Sequence, residues 1–378
     1  MIGHIEKRKG PRGTTYRVKI ELPRDPISGS RRSTSKTFRA KKDAEAYMAA
    51  TITEINRSAH VLPSKLTIGD LLTDWLETTR YRVRPATLEG YDATIRNHLL
   101  PELGAMRVQD LTPIELQRFY NRKLAAGASA RTIQLAHQRL SQALATGVKQ
   151  GLIARNVADL VDPPRVPAAS RTVWTAQECR TFIQASRSHR LDPFWMLAIS
   201  TGLRRGQLLG LRWQDIDFEQ SKLSVHQSVG VLAGAPTISA PKTAKSRRDV
   251  LLPATVTQAL HDHLDRAQLK TDRQPAELVF STSLGGPIHP NNLSRSFNAI
   301  IQSAGLPRIR FHDLRHTHAT LLLAANQPVH AVSERLGHAR SSITLDVYAH
   351  VIPGMQQDAV AALDRLLSER VPESFPSE

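Results

Sequence analysis

The sequence predicts a multidomain, mainly α-helical protein in three parts. A small N-terminal β-sheet plus helix module comes first, a helical bundle follows, and an α-rich domain with a small antiparallel sheet is third. Three observations predict this fold. The chain has 378 residues, enough for two or three domains. Apolar residues recur at helical spacing through most of residues 67–160 and 174–368. In the first 60 residues they alternate with polar ones, as in strands.

Residues 1–60 form the predicted sheet module. Tyr16–Leu22 alternates apolar and polar residues, which is typical of a half-buried strand, and Arg32–Phe38 is a second strand. A turn signal at 25–29 separates the strands, and a helix is expected over 41–55. The module carries +8 of the formal net charge of +17. Basic strands on a small sheet suit a protein that reads a DNA groove. The alternative is a basic extension that only stabilises the fold.

Residues 67–160 are helical by pattern. Helices are expected over Thr67–Thr78, from Pro85 to Leu99, from Thr112 onward and over Ala130–Lys149. The third has the usual start signal, with proline at the first helical position. The bundle is decorated with cations, namely Arg80, Arg82, Arg84, Arg96, Arg118, Arg122, Lys123 and Arg131. Charged helix faces are usually just solvated, so these residues gain weight only beside other observations.

Residues 174–368 are the predicted α-rich domain. Predicted linkers at 61–66 and 162–173 precede and follow the bundle, and residues 369–378 form a tail. Helices are expected near 175–185, 192–200, 203–209, 254–270, 290–304, 312–325, 329–336, 342–350 and 355–368. Alternation over 223–229, 231–238 and 248–252 predicts one small meander, with Lys242 and Lys245 in a tight turn before its last strand.

The composition favours a polyanionic partner. The formal net charge is +17 and the pI is about 10.4. Clustered Lys and Arg bind nucleic acid by releasing its counterions, whereas a basic protein whose charge only aids solubility is the plainer alternative. Cys179 is the only cysteine, which excludes an intramolecular disulfide and a cysteine zinc site. The charged N-terminus does not resemble a signal peptide, and the apolar runs are too short to span a bilayer. A reducing, cytoplasmic setting and no membrane partner are therefore expected.

Three residues indicate phosphodiester chemistry. His312 and Arg315 have an i, i+3 spacing, which puts them on one face of a helix where both can reach one phosphate. Arg204 follows Gly202 at the start of a short helix. Attack on a phosphodiester builds a negatively charged pentavalent phosphorus, and the arginine fork suits it because it binds two oxygens and stays charged. Either arginine alone would be interpreted as a structural ion-pair residue.

The histidines and the single phenol in the segment 311–351 add to this set. His312 suits a base or proton relay and His338 a hydrogen bond to the phosphate. Three further histidines are interpreted as structural residues or as supporting partners, namely His316, His318 and His350. His312 and His316 resemble a metal pair but lack the intervening glutamate of a His-Glu-x-x-His motif, so no metal is expected.

Tyr348 is the candidate nucleophile, because a phenol can form a phosphodiester whose stored bond energy makes ATP unnecessary. The alternative is a core tyrosine of a helix. Lys242 is the candidate general acid for the departing 5′ oxygen, with Lys245 as its competitor. A solvated lysine in a turn is the plainer interpretation of either.

Five motifs in order resemble those of the tyrosine recombinases, in particular the integrases of phages and integrative elements. They are Thr201-Gly202-Leu203-Arg204-Arg205-Gly206, Pro241-Lys242-Thr243, His312-Asp313-Leu314-Arg315-His316-Thr317, Leu336-Gly337-His338 and Tyr348-Ala349-His350-Val351. One motif alone would be weak, whereas the ordered set is specific. More weakly, residues 1–60 resemble an arm-type DNA-binding domain, residues 67–160 a core-binding domain, and residues 174–368 are then the catalytic domain.

The resemblance implies a mechanism. Members cut DNA strands with the tyrosine, leave a 3′-phosphotyrosyl link and a free 5′-hydroxyl, and rejoin partner strands through a Holliday junction without metal or nucleotide cofactor. It assigns phosphate binding to Arg204 and Arg315, with His338 as a further phosphate ligand. Lys242 becomes the acid, His312 the base partner and Tyr348 the nucleophile.

The resemblance also implies partners. The expected ones are double-stranded DNA with core and arm attachment sites, a homotetramer, a directionality factor and a host DNA-bending protein. A C-terminal segment of such enzymes usually packs on the neighbouring subunit. An apolar stripe here suits that role or an internal core face, and it comprises Met355, Val360, Leu363, Leu366 and Leu367.

One residue departs from the family pattern. An acidic residue usually stands three positions after the first arginine, and here it is Gln207, which does not offset charge. We expect this change to affect rate more than reaction type. Three rival functions remain at this point. They are a type IB topoisomerase, a DNA-binding protein that does not cut, and a metal-dependent nuclease. The nuclease is disfavoured because this chain shows no paired carboxylates near the histidines.

Overall fold

A computed structural model describes residues 3–10, 13–22, 32–56, 65–167, 172–240, 247–268 and 276–338, with 342, 344, 345, 360, 363, 364 and 367. The chain divides into two compact units, Met1–Ala168 and Ala169–Glu378. Several predicted features lie outside the described residues. They are the turn at 25–29, the turn with Lys242 and Lys245, Tyr348, His350, most of the helices at 342–350 and 355–368, and the tail.

The N-terminal module is a three-stranded antiparallel sheet with one helix against it. Its elements are β1 (Gly3–Gly10), β2 (Gly13–Leu22), β3 (Arg32–Phe38) and α1 (Lys41–Asn56), and the strand order is β1-β2-β3. Val18 and Ile20 of β2 are fully buried with Ala44 of α1. Arg17 and Lys19 alternate with them and so face the other side of the sheet. The sequence prediction missed β1, because charged residues mask the alternation there.

The bundle agrees with the predicted helices. Its elements are α2 (Ile68–Arg80), α3 (Pro85–Thr94), a π-helical turn (Ile95–Leu99), α4 (Leu100–Leu103), α5 (Pro113–Ala125) and α6 (Ala130–Lys149). Thr67 caps α2 in a capping box with Asp70, since Thr67 Oγ1 accepts the Asp70 N–H at 3.1 Å and Asp70 Oδ2 accepts the Thr67 N–H at 3.0 Å. The core includes Leu72, Phe119 and Leu140, each fully buried.

The second unit is mostly helical, as predicted. Its helices are α7 (Ala176–Ser186), α8 (Asp192–Thr201), α9 (Arg205–Leu209), α10 (Ala254–Gln268), α11 (Pro290–Ser303), α12 (Asp313–Ala324) and α13 (Val329–Leu336). Within the described parts of the chain, no helix is long and apolar enough to cross a membrane.

The predicted single meander was wrong, because the strands form two separate sheets. β4 (Ile216–Asp217), β5 (Lys222–Ser224) and β8 (Asp249–Leu251) form one sheet in the order β4-β5-β8, and β6 (Ser228–Leu232) pairs with β7 (Ala235–Ser239) in the other. The chain leaves the first sheet after Ser224, and the Gln227 side chain then donates to the Gly210 carbonyl at 2.8 Å. Alternating polarity continues through this break, so the pattern alone does not reveal it.

Aromatic side chains fill the core of this unit and lead to the chemistry-bearing segment. Phe182, Trp195 and Phe297 pack edge-on or stacked, with ring centroids 5.3 to 5.9 Å apart. The Phe311 ring lies 5.5 Å from that of Phe297. Because Phe311 is anchored in this cluster, the next residue, His312, has a fixed backbone position at the start of α12.

Candidate active site

Arg204 lies between two helices whose ends are fixed by local geometry. α8 ends at Gly202, which has φ +60°. A Cβ at Gly202 would lie 2.8 Å from His318 Cδ2 and from Leu336 Cδ2, so only glycine fits. The Arg204 side chain reaches solvent at a cavity wall, while neighbouring groups remove part of its hydration and lower its pKa. Arg204 is therefore presented to the cavity from a rigid turn.

Gln207 turns back onto this same turn. Its Oε1 accepts the Arg204 N–H at 3.0 Å, and the side chain is buried. Glutamate and glutamine both cap a helix start in this way, so the amide performs the structural task of the usual acid. It adds no negative charge beside Arg204, and that is the chemical difference.

Arg315 is the most enclosed charged residue of the candidate site, with only 3% of its surface exposed. Its Nη1 donates to the Gly202 carbonyl at 2.8 Å, and its Nη2 donates to the Leu336 carbonyl at 2.7 Å. Gly202 precedes Arg204 by two residues, and Leu336 precedes His338 by two residues. One guanidinium therefore holds together the turns that carry the two other residues.

His312 stands at the start of α12, beside these cations. Loss of hydration lowers its pKa below the ordinary value, and the charges of Arg315 and Arg204 lower it further. Its ring lies 5.3 Å from that of His316, edge to face. A lowered pKa keeps the imidazole neutral near pH 7, so it can accept a proton.

His338 follows the left-handed cap of α13. Gly337 has φ +67°, and the His338 N–H donates to the Ser333 carbonyl at 3.0 Å. Its Nδ1 lies 2.8 Å from Thr344 Oγ1. Burial and the charges of Arg315 and Arg204 lower the pKa of His338 to about 4. The neutral ring can thus offer one hydrogen bond to a bound anion.

The carbonyl end of α8 is held by His318, which the sequence predicted to be structural or a supporting partner, and by Arg335, to which it assigned no role. His318 Nδ1 lies 2.8 Å from the Ile199 carbonyl, and Arg335 Nη2 donates to the Ser200 carbonyl at 2.8 Å. Arg335 Nε also donates to His318 Nε2 at 3.2 Å. Burial lowers the pKa of His318 to about 3, so the ring is neutral. His318 comes three residues after Arg315, a spacing that could have placed it on the same helix face.

A cavity of about 1030 Å³ opens in front of Arg204 and His312. Three more arginines line it, namely Arg205, Arg308 and Arg310. Arg310 is held flat by a bidentate pair with Asp313, with Nε–Oδ2 3.1 Å and Nη2–Oδ1 2.9 Å. The cavity is therefore lined by several cations, which suits a polyanion.

The structure brings together Arg204, His312, Arg315 and His338, four of the six candidate residues. Lys242 and Tyr348 lie outside the described residues, so their positions stay predictions. Among the residues that are described, no group of three or more His, Cys, Asp or Glu is arranged to hold a metal ion.

The folded unit and its cationic pocket define a class of enzyme that handles phosphodiesters, and comparison with known proteins gives the family. The phage integrase family matches residues 173–354, and the N-terminal SAM-like domain of phage integrases matches residues 67–124. A tyrosine recombinase XerC-like protein of Caldanaerobacter subterraneus subsp. tengcongensis is 32% identical, with 93% of this chain and 96% of the relative covered. The chain belongs to the phage integrase family of tyrosine recombinases.

Further relatives agree with this placement. The ICEBs1 integrase of Bacillus subtilis (strain 168) is 26% identical, with 93% of this chain and 97% of the relative covered. The integrase of transposon Tn1549, solved in complex with transposon right end DNA, has a TM-score of 0.69 at 22% identity and covers 80% of this chain and 100% of its own. A lambda integrase dimer bound to a core site has a TM-score of 0.57 at 21% identity and covers 74% of this chain and 97% of its own. These two structures share the fold.

Proposed function

We propose that this recombinase integrates or excises a mobile DNA element by cutting and rejoining DNA at specific attachment sites. One observation carries the proposal. Arg315 donates to the carbonyls of Gly202 and Leu336, and so holds together the segments of Arg204, His312 and His338, of which Arg204 and His312 line the cavity. Such a convergence of fixed cations and neutral imidazoles is what stabilises charge on a transferring phosphoryl group.

The proposed reaction starts with attack by the Tyr348 phenol oxygen on the scissile phosphorus. The phenol proton passes to His312, whose lowered pKa suits it to accept one. The bond to the 5′ oxygen breaks, and that oxygen takes a proton from Lys242. Arg204 and Arg315 bind the non-bridging oxygens, and His338 donates one further hydrogen bond. A free 5′-hydroxyl of the partner strand then reverses the steps, which releases Tyr348 and seals the new junction.

The arginines at the cavity extend this assignment to DNA beyond the scissile phosphate. The cavity that Arg204 lines is also lined by Arg205, Arg308 and Arg310. Phosphates along one DNA strand are spaced so that successive cations can contact successive phosphates. We assign to these three residues the binding of phosphates that flank the cut site.

The other parts of the chain supply the remaining contacts in this proposal. Residues 1–60 bind arm-type sites through the polar face of the sheet, and residues 67–160 bind the core site. The Tn1549 and lambda integrases were solved with DNA, and lambda integrase also as a tetramer bound to a Holliday junction. By analogy we propose a homotetramer on two DNA sites, acting in the cytoplasm, with a directionality factor and a host DNA-bending protein as assisting partners.

A nicked suicide substrate tests the proposal. Wild type should form a covalent protein–DNA adduct that persists in EDTA, because no step needs a metal. Tyr348→Phe removes only the nucleophilic oxygen, and this variant should bind the same DNA without forming the adduct. An adduct with the phenylalanine variant would remove Tyr348 as the nucleophile. Complete loss in EDTA, reversed by a divalent metal, would instead support a metal-dependent nuclease.

A further inference from the structure

Arg248 is a half-buried arginine outside the proposed catalytic set. It directly precedes β8, and its carbonyl accepts the Val225 N–H at 3.0 Å, which fixes its backbone beside the end of β5. In sequence it follows residues 241–246, which contain Lys242, by two positions.

The Arg248 side chain lies against the turn that presents His338. Its Nε donates to the Arg335 carbonyl at 2.9 Å. A Cβ placed on Gly337 would come within 2.6 Å of Arg248 Nη1, so the guanidinium rests on the bare face of this glycine. Gly337 is thus needed for its left-handed backbone and for this contact as well.

The charge of Arg248 acts on the same residues. Burial and the nearby charges of Arg204 and Arg335 lower the pKa of Arg248 to about 10. The groups that lower the pKa of His338, apart from burial, are Arg315, Arg204, His316 and Arg248. Arg248 thus donates a hydrogen bond to the turn before His338, and its charge lowers the pKa of His338.

We propose that Arg248 is a positioning residue for strand transfer. Its Nε bond to the Arg335 carbonyl fixes the His338 turn against β8, and its charge adds to the field that holds the scissile phosphate. This inference rests on the proposed function, since the phosphate and the reaction come from it.

Three substitutions separate the two contributions of Arg248. Arg248→Gln removes the charge but places an N–H donor at the position of Nε. Arg248→Lys keeps the charge but moves the donor beyond that position, and Arg248→Met removes both. Arg247→Met is the matched control, because Arg247 is the adjacent residue, is exposed, and loses the same single charge. Each protein is assayed at full length for adduct formation at saturating suicide substrate, and the pKa of His338 is measured by NMR.

The expected order follows from the geometry. Arg248→Met should slow adduct formation by about tenfold to a hundredfold, since a displacement near 1 Å costs up to about a hundredfold. Arg248→Gln should recover part of that loss, and Arg247→Met should stay within about twofold of wild type. The His338 pKa should rise in the Gln and Met variants and stay low in the Lys variant, because a positive neighbour lowers it.

Several outcomes overturn the inference. It fails if Arg248→Met retains the wild-type rate, if Arg248→Gln is no faster than Arg248→Met, or if the His338 pKa is the same in all four variants. Retained binding to an uncut site shows that a slow variant is folded. If Arg248→Met does not fold, the comparison of Arg248→Gln with Arg248→Lys tests the inference. A wild type that forms no adduct refutes the proposed function instead, and the His338 measurement then decides the role of Arg248.

Discussion

Two arginines of the bundle, Arg118 and Arg122, and two of the candidate active site, Arg315 and Arg335, are held in opposite ways. In the bundle, Arg118 Nη1 lies 2.6 Å from Glu115 Oε1 and Arg122 Nε lies 2.9 Å from Glu102 Oε2, and both arginine side chains are more than half exposed. In the active site, Arg315 and Arg335 donate to backbone carbonyls and are largely enclosed. A carboxylate neutralises its arginine, whereas a carbonyl orients the guanidinium and leaves its full charge in place.

The two arrangements suit two different tasks of a DNA-cutting enzyme, namely general attraction of DNA and stabilisation of charge at the phosphate. Exposed, paired arginines are worth little to stability and act on DNA through screened, salt-dependent attraction. Enclosed arginines that are tied to the backbone act in a region of low dielectric and need no rearrangement when a phosphate arrives. The neighbouring charges that lower the pKa of His338 all belong to basic residues, so the pocket is arranged for an anion.

The largest effect is expected for Arg315→Lys. Lysine keeps the charge but cannot donate to the Gly202 and Leu336 carbonyls in the fork geometry of arginine. Adduct formation at saturating DNA should fall by about 10² to 10³, as for loss of one fixed donor. The free energy of unfolding should fall by about 2 to 3 kcal/mol, because hydrogen bonds from a charged group to buried carbonyls are lost. The control is Arg122→Lys in the bundle, with a rate within about twofold of wild type. Equal rates for both variants would abolish the distinction between the two classes of arginine.

A smaller effect concerns the neutral histidine among the enclosed cations. His318 has a pKa of about 3 in the folded chain against 6.5 as the ordinary value. Below about pH 6.5 the unfolded chain takes up this proton and the folded chain does not, so acid favours unfolding. The free energy of unfolding should fall by up to about 1.4 kcal/mol per pH unit between pH 6 and 4 from this group.

His318→Gln isolates this contribution. Glutamine can donate to the Ile199 carbonyl and accept from Arg335 without titrating. Urea unfolding at several pH values should therefore show a shallower decline for this variant than for wild type. An identical slope for His318→Gln and wild type would mean that His318 is not the group that titrates.

The same contrast explains what the sequence could and could not predict. Helix ends were predictable because their signals are local, as at Thr67, Thr112-Pro113 and Gly202. The split of the predicted meander was not, since the alternation of polarity continues through the break between β5 and β6. Arg204, His312, Arg315 and His338 could be nominated because their motifs are compact in sequence, and their catalytic roles stay predictions.

The role of Arg248 was missed for a related reason. Its side chain donates to the carbonyl of Arg335, which lies 87 residues away in the sequence. In the sequence, Arg248 is one of two adjacent arginines in a basic chain with 51 Lys and Arg. No local sequence signal distinguishes the half-buried Arg248 from the exposed Arg247. Only the folded chain shows that Arg248 donates to the Arg335 carbonyl.

The smallest effect is expected for Arg118→Met in the bundle. Its pair with Glu115 is exposed and lies within one helix, so the free energy of unfolding should change by about 0.5 kcal/mol or less. The rate of adduct formation at saturating DNA should stay within about twofold of wild type. At most one phosphate contact is lost, so the slope of log affinity against log salt should fall by about one at most. A tenfold loss of rate at saturating DNA would place Arg118 with the enclosed arginines, and exposure would then be a poor guide to which cations position the phosphate.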